Sequence, residues 1–182
     1  MPETKTPASE VAALHPSPKG LGVLKAAFRE RRTLAMLLLG FSAGLPFAML
    51  FGTLNAWLSD AGVSVATIGV LSWVGLFGAF KFLWSPSVGL TPPIIGRMGR
   101  RRSWLILCQV VLVGALLTIA LSHPGTGAIA LLAGAGALGA FASATQDIVI
   151  DTWRIEVADE RVPVDLLSTV YQLGFRTAAL VG

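Results

Sequence analysis

The chain has 182 residues, of which 54% are hydrophobic and only 13% are charged, against about 25% charged residues in an ordinary soluble domain. Its formal net charge is +4, and because the basic residues are spread between apolar segments they do not indicate a nucleic-acid partner. One Cys and two distant His exclude a disulfide framework and a metal site. No phosphate-binding loop or nucleophile–base arrangement is visible, so we expect neither a cofactor nor an enzyme.

Long uncharged segments predict the membrane spans in chain order. The run from Thr33 to Ser59 has 27 residues without Asp, Glu, Lys or Arg, where about 20 suffice to cross the hydrocarbon core. A second run passes Lys81, and a third of 44 residues is long enough for two crossings around the turn sequence HPGTG. A fifth helix follows Pro163, a residue favoured in a first turn. We predict spans at about 33–58, 63–86, 103–122, 128–152 and 163–182.

The Lys and Arg residues outside the spans define the expected orientation. Six precede Thr33, four lie in 87–102 and two in 153–162, whereas the other two connections contain none. The positive-inside rule therefore predicts that the N-terminus and both basic connections are cytoplasmic. Residues 1–30, which are rich in Pro, are expected to form a disordered cytoplasmic tail, and residues 31–182 the transmembrane part.

Small residues recur at four-residue spacing in two of the predicted spans. Helices in lipid associate through the close approach of small side chains. The two stripes consist of Gly40, Gly44, Ala48 and Gly52 in the first span and of Gly136, Ala140 and Ala144 in the fourth. The second stripe continues to Asp147 and Asp151, so we expect both carboxylates to face another helix or a cavity rather than lipid.

The fourth span carries these acids where an apolar helix is expected. A carboxylate costs about 2.5–3.5 kcal/mol at the centre of a bilayer, but a rise of 1.5 Å per residue places Asp147 roughly 28 Å from the outer end, close to the inner interface. Three interpretations stay open. The acids form a charged helix end that pairs with Arg154 or with the Arg cluster at 97–102; Asp147 exchanges a proton with a cavity; or the segment contacts substrate or a gate, with Gln146 donating from its amide.

Two basic residues lie inside predicted spans. Lys81 is close enough to the end of its span for its ammonium to reach the interface, and the alternative is an ion pair with Asp147 or Asp151. Arg176 lies deeper, and we consider it the best candidate for a cation that meets an acidic ligand. The alternative for Arg176 is a pair with an acid on another helix.

The connection between the second and third spans carries a recognisable motif. Pro86, Pro92 and Pro93 are expected to prevent helix continuation there, and the segment GRMGRRR follows them. This segment resembles the second half of the loop signature of the major facilitator superfamily. The residues concerned are Gly96, Arg97, Gly99, Arg100, Arg101 and Arg102. Together with LLLGFSAGLPFAM, KFLWSP, TPP, SATQDIVID and LGFR in this order, it is similar to the N-terminal part of the AmpG-type muropeptide permeases, and more distantly to the acetyl-CoA transporters of that superfamily.

The resemblance implies an all-α, polytopic helical bundle of the major-facilitator type, of which this chain would be an incomplete part. It implies an inner-membrane secondary transporter that takes up anhydromuropeptides together with protons by alternating access. The implied partners are membrane lipid, a small-molecule muropeptide and the remaining helices of the same transporter. The chain departs from the loop signature at 87–90, where SVGL stands in place of an expected Asp. Asp147 and Asp151 are candidate substitutes in latching the cytoplasmic gate.

Other functions stay open at this point. One is a membrane scaffold or a degenerate transporter remnant that does not transport. A second is transport of acetyl-CoA or another organic anion. An intramembrane enzyme that uses Asp147 and Asp151 is the least favoured, because aspartyl catalysis requires two carboxylates that face one substrate across a gap, whereas these two follow one another on the same helix face.

Overall fold

The computed structural model describes residues 30–91, 99–122, 128–160 and 162–182, and these segments contain helices and short turns without any strand. The predicted all-α fold is confirmed. Within the described residues, four helices are long and apolar enough to cross a membrane. In chain order the helices are α1 (Arg31–Asp60), α2 (Val65–Leu83), the short α3 (Ser85–Leu90), α4 (Arg100–Leu121), α5 (Ile129–Val157) and α6 (Val164–Val181).

The helices differ from the predicted spans mainly at the C-terminal end of α5 and around Pro86. Helix α5 continues to Val157, beyond the predicted end at 152, so the acids and Arg154 lie on regular helix. Helix α2 ends at Leu83, and the new helix α3 begins at Ser85 with Pro86 in its first turn. Pro is tolerated in a first turn, where its missing N–H has no partner to lose. Pro92, Pro93 and the predicted tail 1–29 lie outside the described residues.

Two of the long helices change their winding inside the membrane region. In α1, Pro46 removes one backbone donor, and a π-helical segment, Met49–Thr53, follows it within one turn. Helix α2 contains two 3-10 turns, Trp73–Gly75 and Lys81–Leu83. The second of these turns carries Lys81, which places this cation at the point where α2 ends and α3 begins.

Helix α5 lies at the centre of the bundle. It contacts α1, α2, α3, α4 and α6, and its small residues permit this. Gly139 approaches Leu50 of α1 and Ala115 of α4, so that a Cβ there would press on both side chains. Ile150, near the other end, is fully buried. Of the predicted small-residue stripe, Ala140 and Ala144 are each 4% exposed and lie against neighbouring helices, whereas a Cβ at Gly136 would meet no atom within 4 Å.

Helices α1 and α6 make the closest backbone contact of the described fold. A Cβ at Gly40 would collide with the carbonyl oxygen of Tyr171, and a Cβ at Gly174 would collide with that of Leu37. Gly44 lies similarly against the backbone of Phe175, whereas Gly52 faces open space. The predicted stripe of the first span thus packs on α6 over its first half and ends before Gly52.

Arg32 ties the start of α1 to the turn between α5 and α6. Its Nη1 donates to the carbonyl oxygen of Val157 at 3.0 Å and to Oδ2 of Asp159 at 2.8 Å. The other carboxylate oxygen of Asp159 accepts from the backbone N–H of Val162 at 2.8 Å. These bonds place the first residues of α1 and α6 at the same end of the bundle as the last residues of α5.

We expect Gly40→Ala to destabilise the chain by about 1–3 kcal/mol, because the added methyl group forces α1 and α6 apart. The higher helix propensity of Ala offsets at most about 1 kcal/mol of this loss. The matched control is Gly52→Ala on the same helix, where the methyl group meets no neighbour within 4 Å. Thermal unfolding in detergent measures both variants. Equal midpoints for the two would contradict the close α1–α6 contact.

Candidate functional site

Charged and polar side chains from three helices meet near the C-terminal half of α5. We call this group the acid cluster, and it consists of Lys81 on α2, Asp147, Asp151 and Arg154 on α5, and Tyr171 on α6. The two acids are one helical turn apart. Both face neighbouring helices, as the small-residue stripe predicted, because α5 is surrounded on this side by α2 and α6.

Asp151 connects α2 with the cation on its own helix. Its Oδ2 accepts a hydrogen bond from Nζ of Lys81 at 3.1 Å, and its Oδ1 accepts from Nη2 of Arg154 at 2.7 Å. The structure therefore contains both the i, i+3 pair with Arg154 and the Lys81–Asp151 pair that the sequence allowed. The Asp151 side chain is 47% exposed, so solvent that reaches it screens these pairs in part.

Arg154 is held between α5 and α6. Its Nη1 donates to the hydroxyl of Ser168 at 3.2 Å, and its guanidinium carbon lies 4.6 Å above the ring centre of Tyr171. This is a cation–π distance, at which the ring quadrupole attracts the cation. With its bond to Asp151, the guanidinium has partners on two helices and its side chain is only 16% exposed.

Asp147 has a different kind of partner. Its Oδ1 accepts from the hydroxyl of Tyr171 at 3.1 Å, and among the described residues no cation bonds to it. Tyr171 is the single Tyr of the sequence, and sequence reasoning missed it. The available signal was a polar hydroxyl in the middle of a predicted span, where a buried Tyr O–H needs a partner.

Gln146 points away from the acid cluster. It is 1% exposed, and its Oε1 accepts from Nε2 of Gln109 on α4 at 2.7 Å, while the same Nε2 donates to the hydroxyl of Ser42 on α1. Gln146 thus belongs to a polar contact among α1, α4 and α5. Its own Nε2 is buried without a partner in the described part of the chain. Sequence reasoning missed Gln109, although it is a polar residue within an uncharged run.

Arg176 is not brought to the acid cluster. Its side chain is exposed on α6, and the described residues provide it with no hydrogen bond or ion pair. Arg176 follows Tyr171 by five positions on α6. Because each position turns the helix by about 100°, the two side chains lie on different faces.

The described part of the loop signature forms the start of α4. Gly99 precedes the helix and Arg100, Arg101 and Arg102 occupy its first turn, where cations oppose the helix dipole. Arg101 has a favourable partner on another helix, because it forms an ion pair with Glu156 at the end of α5. This is the predicted pairing between the charged helix end and the Arg cluster. Gly96 and Arg97 lie outside the described residues.

The segment 87–90, where the loop signature is expected to carry an Asp, lies within α3. Val88 is buried there and packs in one cluster with Ile148 and Val149 of α5. Beside it, an open cleft of about 610 Å³ separates α2 and α3 from α5. Its lining includes Lys81, Ser85, Asp151, Thr152 and Glu156, so both a cation and two acids are accessible from this side.

Comparison with known proteins identifies a family. The sequence-family model of the Major Facilitator Superfamily matches residues 1–175. The anhydromuropeptide permease of Escherichia coli is 41% identical over 157 residues, which cover 85% of this chain and 30% of that protein. A protein of Rickettsia felis designated AmpG 4 is 32% identical over 155 residues, 85% of this chain and 37% of that protein. The chain therefore spans about a third of the length of these relatives.

We expect Asp151→Asn to weaken two contacts at once. Double-mutant cycles that combine it with Lys81→Gln or with Arg154→Gln are expected to give coupling free energies of about 0.5–1 kcal/mol each, as measured for partly exposed ion pairs. The matched control combines Asp151→Asn with Arg176→Gln, which removes a cation of α6 that does not contact Asp151. Chemical unfolding in detergent measures the four stabilities of each cycle. Equal coupling for all three cations would contradict the geometry of the cluster.

Proposed function

Because the chain belongs to the major facilitator superfamily, we propose that it forms the N-terminal part of a proton-coupled uptake transporter of the inner membrane. Members of this superfamily are transporters rather than enzymes. The observation that carries the proposal is the acid cluster, in which two carboxylates and two cations from α2 and α5 lie together with Tyr171 of α6. Charged residues inside membrane helices are costly, and in transporters they mark the path of ions and substrates.

The proposed substrate is an anhydromuropeptide, because the relative from Escherichia coli carries that name. A muropeptide is polar and carries carboxylates, so it requires cations and amide donors along its path. Alternating access requires two helix bundles that rock against each other around a central site. Residues 31–182 would provide five helices of one bundle, and the remaining helices of the longer relatives would complete the path.

Asp147 is the proposed proton carrier. Asp151 is engaged by two cations, Lys81 and Arg154, whereas the partner of Asp147 is a neutral hydroxyl. A proton can therefore bind to and leave Asp147 without breaking an ion pair. Asp151 and Lys81 are proposed to act at the gate instead, because they join α2 to α5 beside the open cleft.

Arg176 and Gln146 are the proposed contacts for substrate. Arg176 is exposed on α6, so its guanidinium is available for a carboxylate. Gln146 has one amide donor, Nε2, without a partner among the described residues. Because Gln146 is buried, this contact requires α1 or α4 to move away from α5.

The N-terminus is proposed to lie in the cytoplasm. Arg32 at the start of α1 and Arg101 at the start of α4 pair with Asp159 and Glu156 near the end of α5. The described basic ends of the helices therefore meet at one end of the bundle. The positive-inside rule assigns that end to the cytoplasm, where the loop signature and anionic lipid headgroups would lie together.

We expect Asp147→Asn to lower gradient-driven uptake at least tenfold, because Asn has no proton to exchange. The assay is uptake of a tritiated anhydromuropeptide into proteoliposomes that contain the protein expressed from its complete gene, with and without an imposed proton gradient. Asp165→Asn is the matched control, since it makes the same change on an exposed first-turn residue of α6. Unchanged gradient-driven uptake in Asp147→Asn would overturn the assignment.

The orientation is tested by cysteine accessibility in a Cys108→Ser background. We expect Ala61→Cys, at the end of α1 remote from the Arg cluster, to react with a membrane-impermeant maleimide in intact spheroplasts. Arg102→Cys is expected to react only after permeabilisation, because the basic connection faces the cytoplasm. Labelling of Arg102→Cys in intact spheroplasts would reverse the topology.

A further inference from the structure

We propose that Tyr171 is a positioning residue for Asp147, one that holds this carboxyl in both of its protonation states. The inference rests on the proposed proton transport and adds to it a residue that touches the proton carrier without touching substrate. Tyr171 lies on α6 and Asp147 on α5, so their hydrogen bond at 3.1 Å also joins the two helices.

The surroundings of Asp147 leave this task to Tyr171 alone. The charged groups near Asp147 are Lys81 from α2 and Asp151 and Arg154 from α5. Both cations donate to Asp151 instead. Among the described residues, the hydroxyl of Tyr171 is therefore the one side-chain group bonded to Asp147.

A phenol suits both protonation states because it is a donor and an acceptor. When Asp147 is ionised, the hydroxyl of Tyr171 donates to the carboxylate. When Asp147 holds a proton, the acid O–H donates to the phenol oxygen, and the phenol O–H is released to another acceptor. A buried O–H without an acceptor is costly in a region of low dielectric, so the phenol oxygen stabilises the protonated acid that proton exchange requires.

The structure fixes the position of the hydroxyl from two sides. The guanidinium of Arg154 lies over the ring of Tyr171 at 4.6 Å. The backbone of Tyr171 lies against Gly40 of α1 so closely that a Cβ has no room. Neither the ring nor the backbone can shift freely, and the hydroxyl therefore remains aimed at Asp147.

The test uses Tyr171→Phe in the protein expressed from its complete gene, because Phe keeps the ring beneath Arg154 and removes only the hydroxyl. Infrared difference spectra between acid and alkaline pH show the carboxylic-acid band of Asp147, identified by its loss in Asp147→Asn. We expect this band to move to higher wavenumber in Tyr171→Phe, because the protonated acid loses its acceptor. Uptake of the tritiated anhydromuropeptide is expected to fall roughly tenfold in maximal rate with KM unchanged.

Thr177→Val is the matched control, since it removes a hydroxyl of α6 that bonds to its own helix at Leu173. We expect it to leave both the band and the uptake rate unchanged. A band of unchanged position in Tyr171→Phe would overturn the inference, as would an unchanged uptake rate. If the band moves but the unmodified protein shows no gradient-driven uptake, the Tyr171–Asp147 contact stands and the proposed transport function fails.

Discussion

The need to pair charges inside a low-dielectric bundle governs this structure. Lipid offers no partner to a carboxylate, so each acid of α5 has to find one on a neighbouring helix or on its own. Asp151 finds Lys81 of α2 and Arg154 of α5, and Asp147 finds the hydroxyl of Tyr171 on α6. The same bonds that satisfy the acids hold three helices together. A change in the protonation of one acid is therefore felt by more than one helix, which is the property a coupled transporter requires.

A second constraint acts through the backbone. Because apolar side chains gain little from leaving lipid for protein, close contact has to come from small residues. Gly40 and Gly174 provide it between α1 and α6, and Gly139 provides it where α5 meets α1 and α4. The α1–α6 contact also affects the proposed proton site, because Gly40 packs against the backbone of Tyr171. Packing and the proposed proton site are thus linked through one residue.

Most of the charged residues of the site could be predicted from the sequence one by one. Few of the contacts between them could be predicted. Asp147, Asp151 and Lys81 were identifiable because charges interrupt apolar helix, and the structure brings all three into one cluster. Arg176 was identified by the same argument, yet it lies on another face of α6. Gln146 was a candidate contact for substrate or a gate, but adjacent helix positions differ by about 100°, so its side chain turns away from Asp147 and towards Gln109. Tyr171 and Gln109 were missed because an uncharged polar residue does not interrupt an apolar run.

Composition and local patterns were enough to predict the class of the molecule: all-α, with long uncharged runs typical of membrane spans, and with the motifs of a superfamily that the comparisons confirm. These properties depend on the solvation of each segment and on local order along the chain, which composition records directly. The packing of the helices is what brings Asp151 to Lys81, Val88 to Ile148 and Val149, and Tyr171 to Asp147. Such partners depend on how the helices rotate and approach one another, and that rotation is set by contacts between residues far apart in sequence.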